Sequence, residues 1–142
     1  SDVAQRQRSG LGENFHVAVW PGRDYNTKDI TRFIARESRR FVVSVSSFMN
    51  KNDFPDNLPH LEHLLSKTPE IMANGGSCIA GPDGEWILAP VVGKEEVIFQ
   101  TIDFNAVFEE RQNFDPAGHY SRPDVTKLVV NRQRQSTIEV ED

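Results

Sequence analysis

The chain has 142 residues, of which 37% are hydrophobic, 26% charged and 9% aromatic, a composition typical of one globular domain with a sizeable core. Sixteen basic and 21 acidic residues give a net charge of −5, which argues against a protein that binds nucleic acid through phosphate contacts. The single cysteine, Cys78, excludes an internal disulfide and a thiolate zinc cluster, and no apolar run is long enough for a membrane helix. We therefore expect a cytoplasmic protein with no membrane partner.

The first third of the chain predicts a strand, a helix and a second strand. Residues Phe15–Trp20 alternate in polarity and are rich in β-formers, and Pro21 with Gly22 ends this pattern. Asn26 and Thr27 are suited to cap the helix, whose apolar side is marked by four residues: Ile30, Phe33, Ile34 and Phe41. The stretch 41–48 (FVVSVSSF) predicts a strand, and its small serines indicate close packing inside a layered structure.

The rest of the chain predicts shorter elements. In chain order they are a loop at 49–59, a short helix before Thr68, a chain break at Asn74-Gly75-Gly76, a hairpin of Ser77–Ala80 with Trp86–Pro90, a strand at Glu96–Phe104, a helix from Asn105 to Arg111, and a last strand near Val125–Val130. Strands alternating with helices in this way predict a mixed α/β fold.

Cys78 is the one candidate thiol nucleophile. No histidine or lysine lies within six residues of it, and a catalytic thiol needs a nearby cation or helix start to lower its pKa. We interpret it as a small buried residue. His60 and His63 are three residues apart, but no third ligand is evident, so a solvated helix face explains the pair better than a metal site does.

His119 lies in the turn Gly118-His119-Tyr120, and polar side chains on a rigid loop are typical of binding sites. A histidine held by backbone carbonyls is the alternative, and the sequence leaves both open. Gly75-Gly76-Ser77 lacks the Lys-Ser/Thr of a phosphate-binding loop, and no serine stands in a Gly-x-Ser-x-Gly elbow. The residues therefore predict no complete catalytic constellation, no metal and no cofactor.

Several segments share one resemblance through their order and spacing: His16–Gly22, Ile34–Glu37 leading into Phe41–Val43, Gly75-Gly76-Ser77 with Ile79, and Pro82-x-Gly84. Together they resemble the carbon–nitrogen hydrolase (nitrilase) superfamily. The stretch Phe114–Val125 resembles its nitrilase and cyanide-hydrolysing branch in particular. The resemblance divides the chain into an unmatched segment (1–11), a nitrilase-like C-terminal portion (12–131) and a polar tail (132–142).

The resemblance implies part of an αββα sandwich, a fold that pairs into dimers and extends into spirals in this branch. Family members hydrolyse nitriles or amides with a cysteine nucleophile, a glutamate that moves protons and a lysine that stabilises negative charge. In the family these residues precede the strand that matches His16–Trp20, and residues 1–11 contain no nucleophile elbow. Cys78 does not match the nucleophile, so this chain is expected to hold no catalytic residue.

The resemblance implies that this chain forms one wall of the substrate pocket. It implies that Trp20 and Pro21 lie near the substrate pocket, and that His119 belongs to a loop that influences activity and assembly. Packing in the core or an interface is the open alternative for Trp20 and Tyr120.

Two functions are consistent with these features. The first is a nitrile hydrolase, presented here as a fragment, a truncated gene product or a mispredicted start, and inactive as an isolated chain. The second is a non-catalytic oligomerisation or interaction module derived from the same scaffold. In both cases strands such as 41–48 carry apolar residues on both faces, so we expect self-association.

Overall fold

A computed structural model of the chain describes residues 12–115, 117–125, 127, 129 and 131. Five strands and three α-helices follow one another in this order: β1 (Phe15–Trp20), α1 (Asp24–Ser38), β2 (Phe41–Ser46), β3 (Phe48–Asn50), α2 (Leu61–Lys67), β4 (Ile71–Ala80), β5 (Trp86–Val92) and α3 (Asn105–Asn113). The mixed α/β class predicted from the sequence is confirmed, and the elements are consistent with part of an αββα fold. No helix within the described ranges is long and apolar enough to cross a membrane.

All five strands belong to one sheet, and β1 lies at one side of it. β1 and β2 are parallel, in a register that places Phe15 opposite Phe41. β2 and β4 are antiparallel, with Val43 opposite Ile79, and β3 pairs with the first half of β4. β5 returns along β4 through the predicted hairpin, which the backbone bond from Gly81 N–H to Glu85 closes.

Helix α1 connects β1 to β2 and packs on one face of the sheet. Its buried residues recur every three or four positions, as one side of a helix requires: Thr27, Thr31, Ile34, Ala35 and Ser38. The apolar core consists of Ile34 and Ala35 from the helix with Val42 and Ala80 from the sheet. Because most of the facing residues are small, helix and sheet approach closely, which confirms the packing predicted from the serines of strand 41–48.

The predicted start of α1 is wrong by three or four residues, since the observed N-cap is Arg23 and the predicted caps are Asn26 and Thr27. The helix begins at Asp24, and its N-cap residue Arg23 makes no side-chain capping bond. The Asn74 side chain of β4 instead accepts the Asp24 N–H at 3.1 Å. A residue 50 positions away thus satisfies the backbone N–H at the helix start. Asn26 and Thr27, which the sequence predicted as caps, lie inside the helix. Helix α3 likewise is capped at Phe104, one residue before the predicted cap Asn105.

The predicted chain break at Asn74-Gly75-Gly76 is also wrong, because these residues lie inside β4. Gly76 has a φ of +108°, and a Cβ atom built on it would come within 2.6 Å of the Asp24 Cα. The glycine therefore serves the close approach of β4 to the first turn of α1 and does not end the strand. The predicted strand 41–48 is divided at Ser47 into β2 and β3.

The predicted strand Glu96–Phe104 is absent from the described structure. Residues 94–103 form no regular structure although their side chains alternate, because none of the strands that the structure describes pairs with them. The predicted last strand near Val125–Val130 falls partly outside the described residues, and those described there are not in a strand. The segments 1–11 and 132–142 also lie outside the described residues.

The face of the sheet opposite α1 is apolar and largely open. Phe15, Val17 and Val19 alternate along β1 on this face, and Val19 is 80% exposed. Val45 of β2, also exposed, lies beside Val19. Phe104 packs edge-on against Phe15 and Phe41 at one end of this face only, with ring centroids 6.3 and 5.7 Å apart. A sheet with one helix layer and one open apolar face is a structure that normally has a second cover.

Candidate functional site

The predicted pocket residues Trp20 and Pro21 lie where β1 ends. The Trp20 Nε1 donates to the Ser44 Oγ of the neighbouring strand at 3.0 Å, so the indole is held against β2. Pro21 follows it at the exposed surface. Gly22 then turns the chain towards α1 with a φ of +83°. The tryptophan is therefore fixed, the proline is exposed, and Gly22 of the turn is buried.

A relay of buried hydroxyl groups joins Trp20 to the helix. The Thr31 hydroxyl donates to the Thr27 carbonyl at 2.5 Å, which leaves its oxygen to accept from the Ser44 hydroxyl at 2.5 Å. The Thr27 hydroxyl bonds the Gly76 carbonyl at 2.7 Å. Because each buried donor has an acceptor, these polar groups tie α1 to β2 and β4 without an unsatisfied atom among them.

Cys78 lies next to this group of hydroxyls, beside Thr31. Its side chain is 1% exposed, and its Sγ lies 3.6 Å from the Thr31 Oγ1. Burial raises the pKa of the thiol, so the neutral form is favoured and no thiolate nucleophile is provided. The interpretation of Cys78 as a buried residue is confirmed.

Asp24 and Asn74 form a reciprocal pair between the start of α1 and β4. The Asn74 amide nitrogen donates to the Asp24 carboxylate at 2.8 Å, and the amide oxygen accepts the Asp24 backbone N–H at 3.1 Å. This amide is the main reason that the pKa of Asp24 lies below its ordinary value of 3.8. The pair fixes the turn that follows Trp20 and Pro21.

The lowered pKa of Asp24 predicts a pH-dependent contribution to stability. A carboxyl group whose pKa falls on folding stabilises the protein above its unfolded pKa, and this stabilisation disappears as the pH falls through the folded pKa. In urea melts the Asn74→Ala variant should be less stable than the wild type near neutral pH, and this gap should narrow below about pH 4. Asp24→Asn is the matched control, since it removes the titrating group. A gap that stays constant with pH would contradict the prediction.

His119 lies in an exposed loop that Asp115 organises. The Asp115 carboxylate accepts the backbone N–H groups of Ala117 and Gly118 at 3.0 and 2.9 Å. The imidazole ring packs on Tyr120 with centroids 4.7 Å apart, and Tyr120 in turn packs on Phe114 at 4.9 Å. The exposed histidine thus lies on a loop whose backbone Asp115 holds, and its role in binding stays a prediction.

His119 follows a helix that is attached to the end of β1 opposite Trp20. The loop leaves α3, and the Arg111 side chain of this helix donates to Asn14 Oδ1 and the Glu13 carbonyl, immediately before β1. Trp20 ends the same strand, about 20 Å further along at the usual rise per residue. The two elements are therefore attached to opposite ends of β1. Their shared role at a pocket remains a prediction.

A shallow cavity of about 90 Å³ lies between β2, β3, β4 and β5 and the segment that follows β5. Its walls are Ser46, Phe48, Gly75, Ser77, Val91, Lys94, Glu95, Glu96 and Ile98. None of the predicted pocket residues lines it, and it is smaller than the roughly 300 Å³ at which ligand pockets begin. Among the described residues no three His, Cys, Asp or Glu side chains group as metal ligands. The cavity and its walls thus supply no complete reaction site.

The sequence did not reveal the hydroxyl relay or the Asp24–Asn74 pair. One signal for the relay was present: Thr27 and Thr31 are four residues apart, and Ser44 and Ser46 alternate on one face of a strand. Polar residues at core positions of two adjacent elements indicate partners for each other. Asn74 gave no such signal, because its partner is 50 positions away.

The amino-acid sequence of this chain is similar to those of several proteins named as nitrilases. The chain is 31% identical over 107 residues to an aliphatic nitrilase of Sinorhizobium fredii, in a match that covers 75% of this chain and 34% of the relative. It is 36% identical to Nitrilase 2 of Arabidopsis thaliana over 108 residues (74% and 32%) and 32% identical to an aliphatic nitrilase of Rhodococcus rhodochrous over 144 residues (89% and 37%). The chain thus spans about a third of the length of these relatives. No protein-family model matches it.

Proposed function

Because this chain belongs to the nitrilase superfamily, of which it carries a C-terminal portion, we propose that it forms part of a nitrile-hydrolysing enzyme. The overall reaction adds two water molecules to a nitrile and releases a carboxylic acid and ammonia. The observation that carries the proposal is the similarity to three nitrilases over about three quarters or more of this chain. The cytoplasm, where thiols stay reduced, suits a protein that uses a cysteine nucleophile.

By resemblance, the chemistry belongs to a glutamate, a lysine and a cysteine outside these 142 residues. The cysteine adds to the nitrile carbon and forms a thioimidate, which water converts to ammonia and an acyl-enzyme, and a second water releases the acid. The buried thiol of Cys78 does not fit this role, because it is neutral and inaccessible to a substrate.

The contribution of this chain is the framework that holds one wall of the pocket. Trp20 and Pro21 are proposed to form that wall, supported by the Trp20–Ser44 hydrogen bond and by the Asp24–Asn74 pair behind the turn. His119 is proposed to act through its loop on activity and assembly. The segment 12–131 is proposed to be the nitrilase-like unit.

A chimaera tests the proposal. Residues 12–131 would replace the matching portion of the Rhodococcus rhodochrous aliphatic nitrilase, which aligns with 89% of this chain. Ammonia release from an aliphatic nitrile by the chimaera is the expected result, and the relative lacking that portion is the inactive control. A chimaera that folds and assembles but has no activity would overturn the proposal.

The open apolar face of the sheet favours a second candidate, a non-catalytic oligomerisation module. Three valine side chains on this face are exposed to solvent: Val17, Val19 and Val45. A contiguous exposed apolar patch is typical of a surface that binds another protein. Both candidates require this face to be covered. They differ in the occupant, which is the remaining part of a nitrilase in the first and a second copy of this chain in the second.

Self-association of the purified chain is therefore expected. Burial of the open face removes apolar surface from water, at roughly 25 cal/mol for each Å². Sedimentation equilibrium at micromolar concentration should show dimers or larger species. Val45→Thr should weaken this association, since it keeps the β-branched shape of the side chain and reduces the apolar area of the open face. A clean monomer with a cooperative thermal transition would contradict this prediction.

A further inference from the structure

Asn74 and Gly75 form the one asparagine–glycine pair of the chain, although the chain contains nine asparagines. The peptide nitrogen that follows an asparagine can attack the side-chain carbonyl carbon, because the two groups belong to neighbouring residues and close a five-membered ring. Glycine favours this attack, since no side chain shields its nitrogen and its backbone rotates freely. Of the nine, Asn74 is therefore the asparagine whose sequence makes it most reactive towards its own backbone.

The fold holds both reacting groups of this pair in hydrogen bonds. The Gly75 N–H donates to the Ser47 carbonyl at 3.1 Å, and the main-chain carbonyl of Asn74 accepts the Gly93 N–H at 2.9 Å. Asp24 engages the Asn74 side-chain amide at both ends, through its carboxylate at 2.8 Å and its backbone N–H at 3.1 Å. Ring closure rotates the peptide between Asn74 and Gly75 out of the strand, so these bonds must break first.

We propose that Asn74 is a deamidation site that the contact between β4 and α1 keeps closed. When the contact opens, the Gly75 nitrogen attacks the Asn74 Cγ and closes a succinimide, while the Cγ–Nδ2 bond breaks and the former N–H proton of Gly75 leaves with the amide as ammonia. Water then opens the ring at either carbonyl and leaves aspartate or isoaspartate at position 74. Over the two steps one water is consumed and one ammonia is released, with no change of oxidation state.

The product of this reaction does not restore the contact. The Asn74 Nδ2 donates to the Asp24 carboxylate, and deamidation replaces that donor with a second carboxylate, which repels the first. A carboxylate near a helix start gains from the helix dipole, but that gain is smaller than the loss of a charge-assisted hydrogen bond. Isoaspartate also adds a carbon atom to the main chain of β4 and disturbs its register. The reaction therefore loosens the turn after Trp20 and Pro21 in one direction only.

Peptide mapping of the purified chain, aged in mildly alkaline buffer, tests the site. Trypsin releases residues 68–94 as one peptide in which Asn74 is the one asparagine, so mass spectrometry assigns the replacement of –NH₂ by –OH. Asp24→Ala should deamidate at least about tenfold faster than the wild type, which corresponds to about 1.4 kcal/mol of opening free energy. Asp29→Ala is the matched control, since it removes an exposed carboxylate of the same helix and should react at the wild-type rate. The wild type unfolded in urea should react fastest, which measures the protection without a substitution.

The stability of the product tests the one-way step independently. Asn74→Asp reproduces the aspartate product and should lower the folding equilibrium constant at least about tenfold near neutral pH. The exchanged pair, Asp24→Asn with Asn74→Asp, again places an amide opposite a carboxylate and should recover much of this loss. Equal deamidation rates in the native and the unfolded wild type, or unchanged stability of Asn74→Asp, would overturn the proposal. The inference does not depend on nitrile hydrolysis, because its ammonia comes from the chain itself and the nitrilase proposal is tested by the chimaera alone.

Discussion

The isolated chain is expected to release no ammonia from aliphatic or aromatic nitriles. A nitrile carbon needs a strong nucleophile, and the one thiol of the chain is buried and held neutral by its raised pKa. Among the described residues its hydrogen-bonding neighbours are the hydroxyls of Thr31, Thr27 and Ser44, none of which is a general base. Because enzymes typically accelerate reactions by at least about 10⁶-fold, the loss of the catalytic set should leave only background hydrolysis. An ammonia assay, with a complete nitrilase as the positive control, measures this directly.

The Cys78→Ala variant provides the control for that experiment. It removes one sulfur atom from a well-packed site and should preserve the fold, as circular dichroism can verify. Turnover that survives purification of the wild type and disappears in this variant would show that Cys78 is a nucleophile. Such a result would contradict both the inactivity of the chain and the interpretation of Cys78 as a buried structural residue.

The elements that the sequence predicted correctly are those with local causes. β1 has a clear alternation that ends at Pro21, and the hairpin between β4 and β5 has a strong turn at Pro82–Glu85. The predictions failed where a distant residue decides the structure. The alternating segment Glu96–Phe104 has no partner strand in the part of the chain that the structure describes, and alternation without a partner does not make a strand. Phe33 was placed on the apolar side of α1 but is 58% exposed, since the core-facing side of the helix contains threonine and serine.

The same distinction explains what was found at the candidate site. The burial of Cys78 followed from its apolar neighbours and the absence of a nearby cation. The Asp24–Asn74 pair could not be predicted from the sequence, because its two members are far apart in the chain. They meet only where β4 crosses the start of α1. Residues that resemble a turn, Asn74-Gly75-Gly76, thus belong to a contact between a strand and a helix. Local turn chemistry and a close backbone approach select the same residue types, and only the fold separates them.

Gly76→Ala is expected to destabilise the protein more than an ordinary substitution does. Gly76 has a φ of +108°, and an added Cβ would lie 2.6 Å from the Asp24 Cα and 2.8 Å from the Asp24 N. The positive φ costs about 1–2 kcal/mol for a residue with a side chain, and the overlap with backbone atoms adds about 1–3 kcal/mol. The first turn of α1 must then move away from β4, which also weakens the bond from Thr27 to the Gly76 carbonyl.

Gly93→Ala separates the two causes, because Gly93 shares the positive φ without the close contact. Its φ is +80°, and a Cβ atom there would have no neighbour within 4 Å. Urea melts of the two variants should give a loss of about 1 kcal/mol in unfolding free energy for Gly93→Ala and about 3 kcal/mol or more for Gly76→Ala. Equal losses would mean that β4 and α1 separate at little cost. The contact of Gly76 with Asp24 would then not be what fixes the turn after Trp20 and Pro21. A larger loss at Gly76 shows that this glycine, and not local turn chemistry, sets the position of the turn after Trp20 and Pro21.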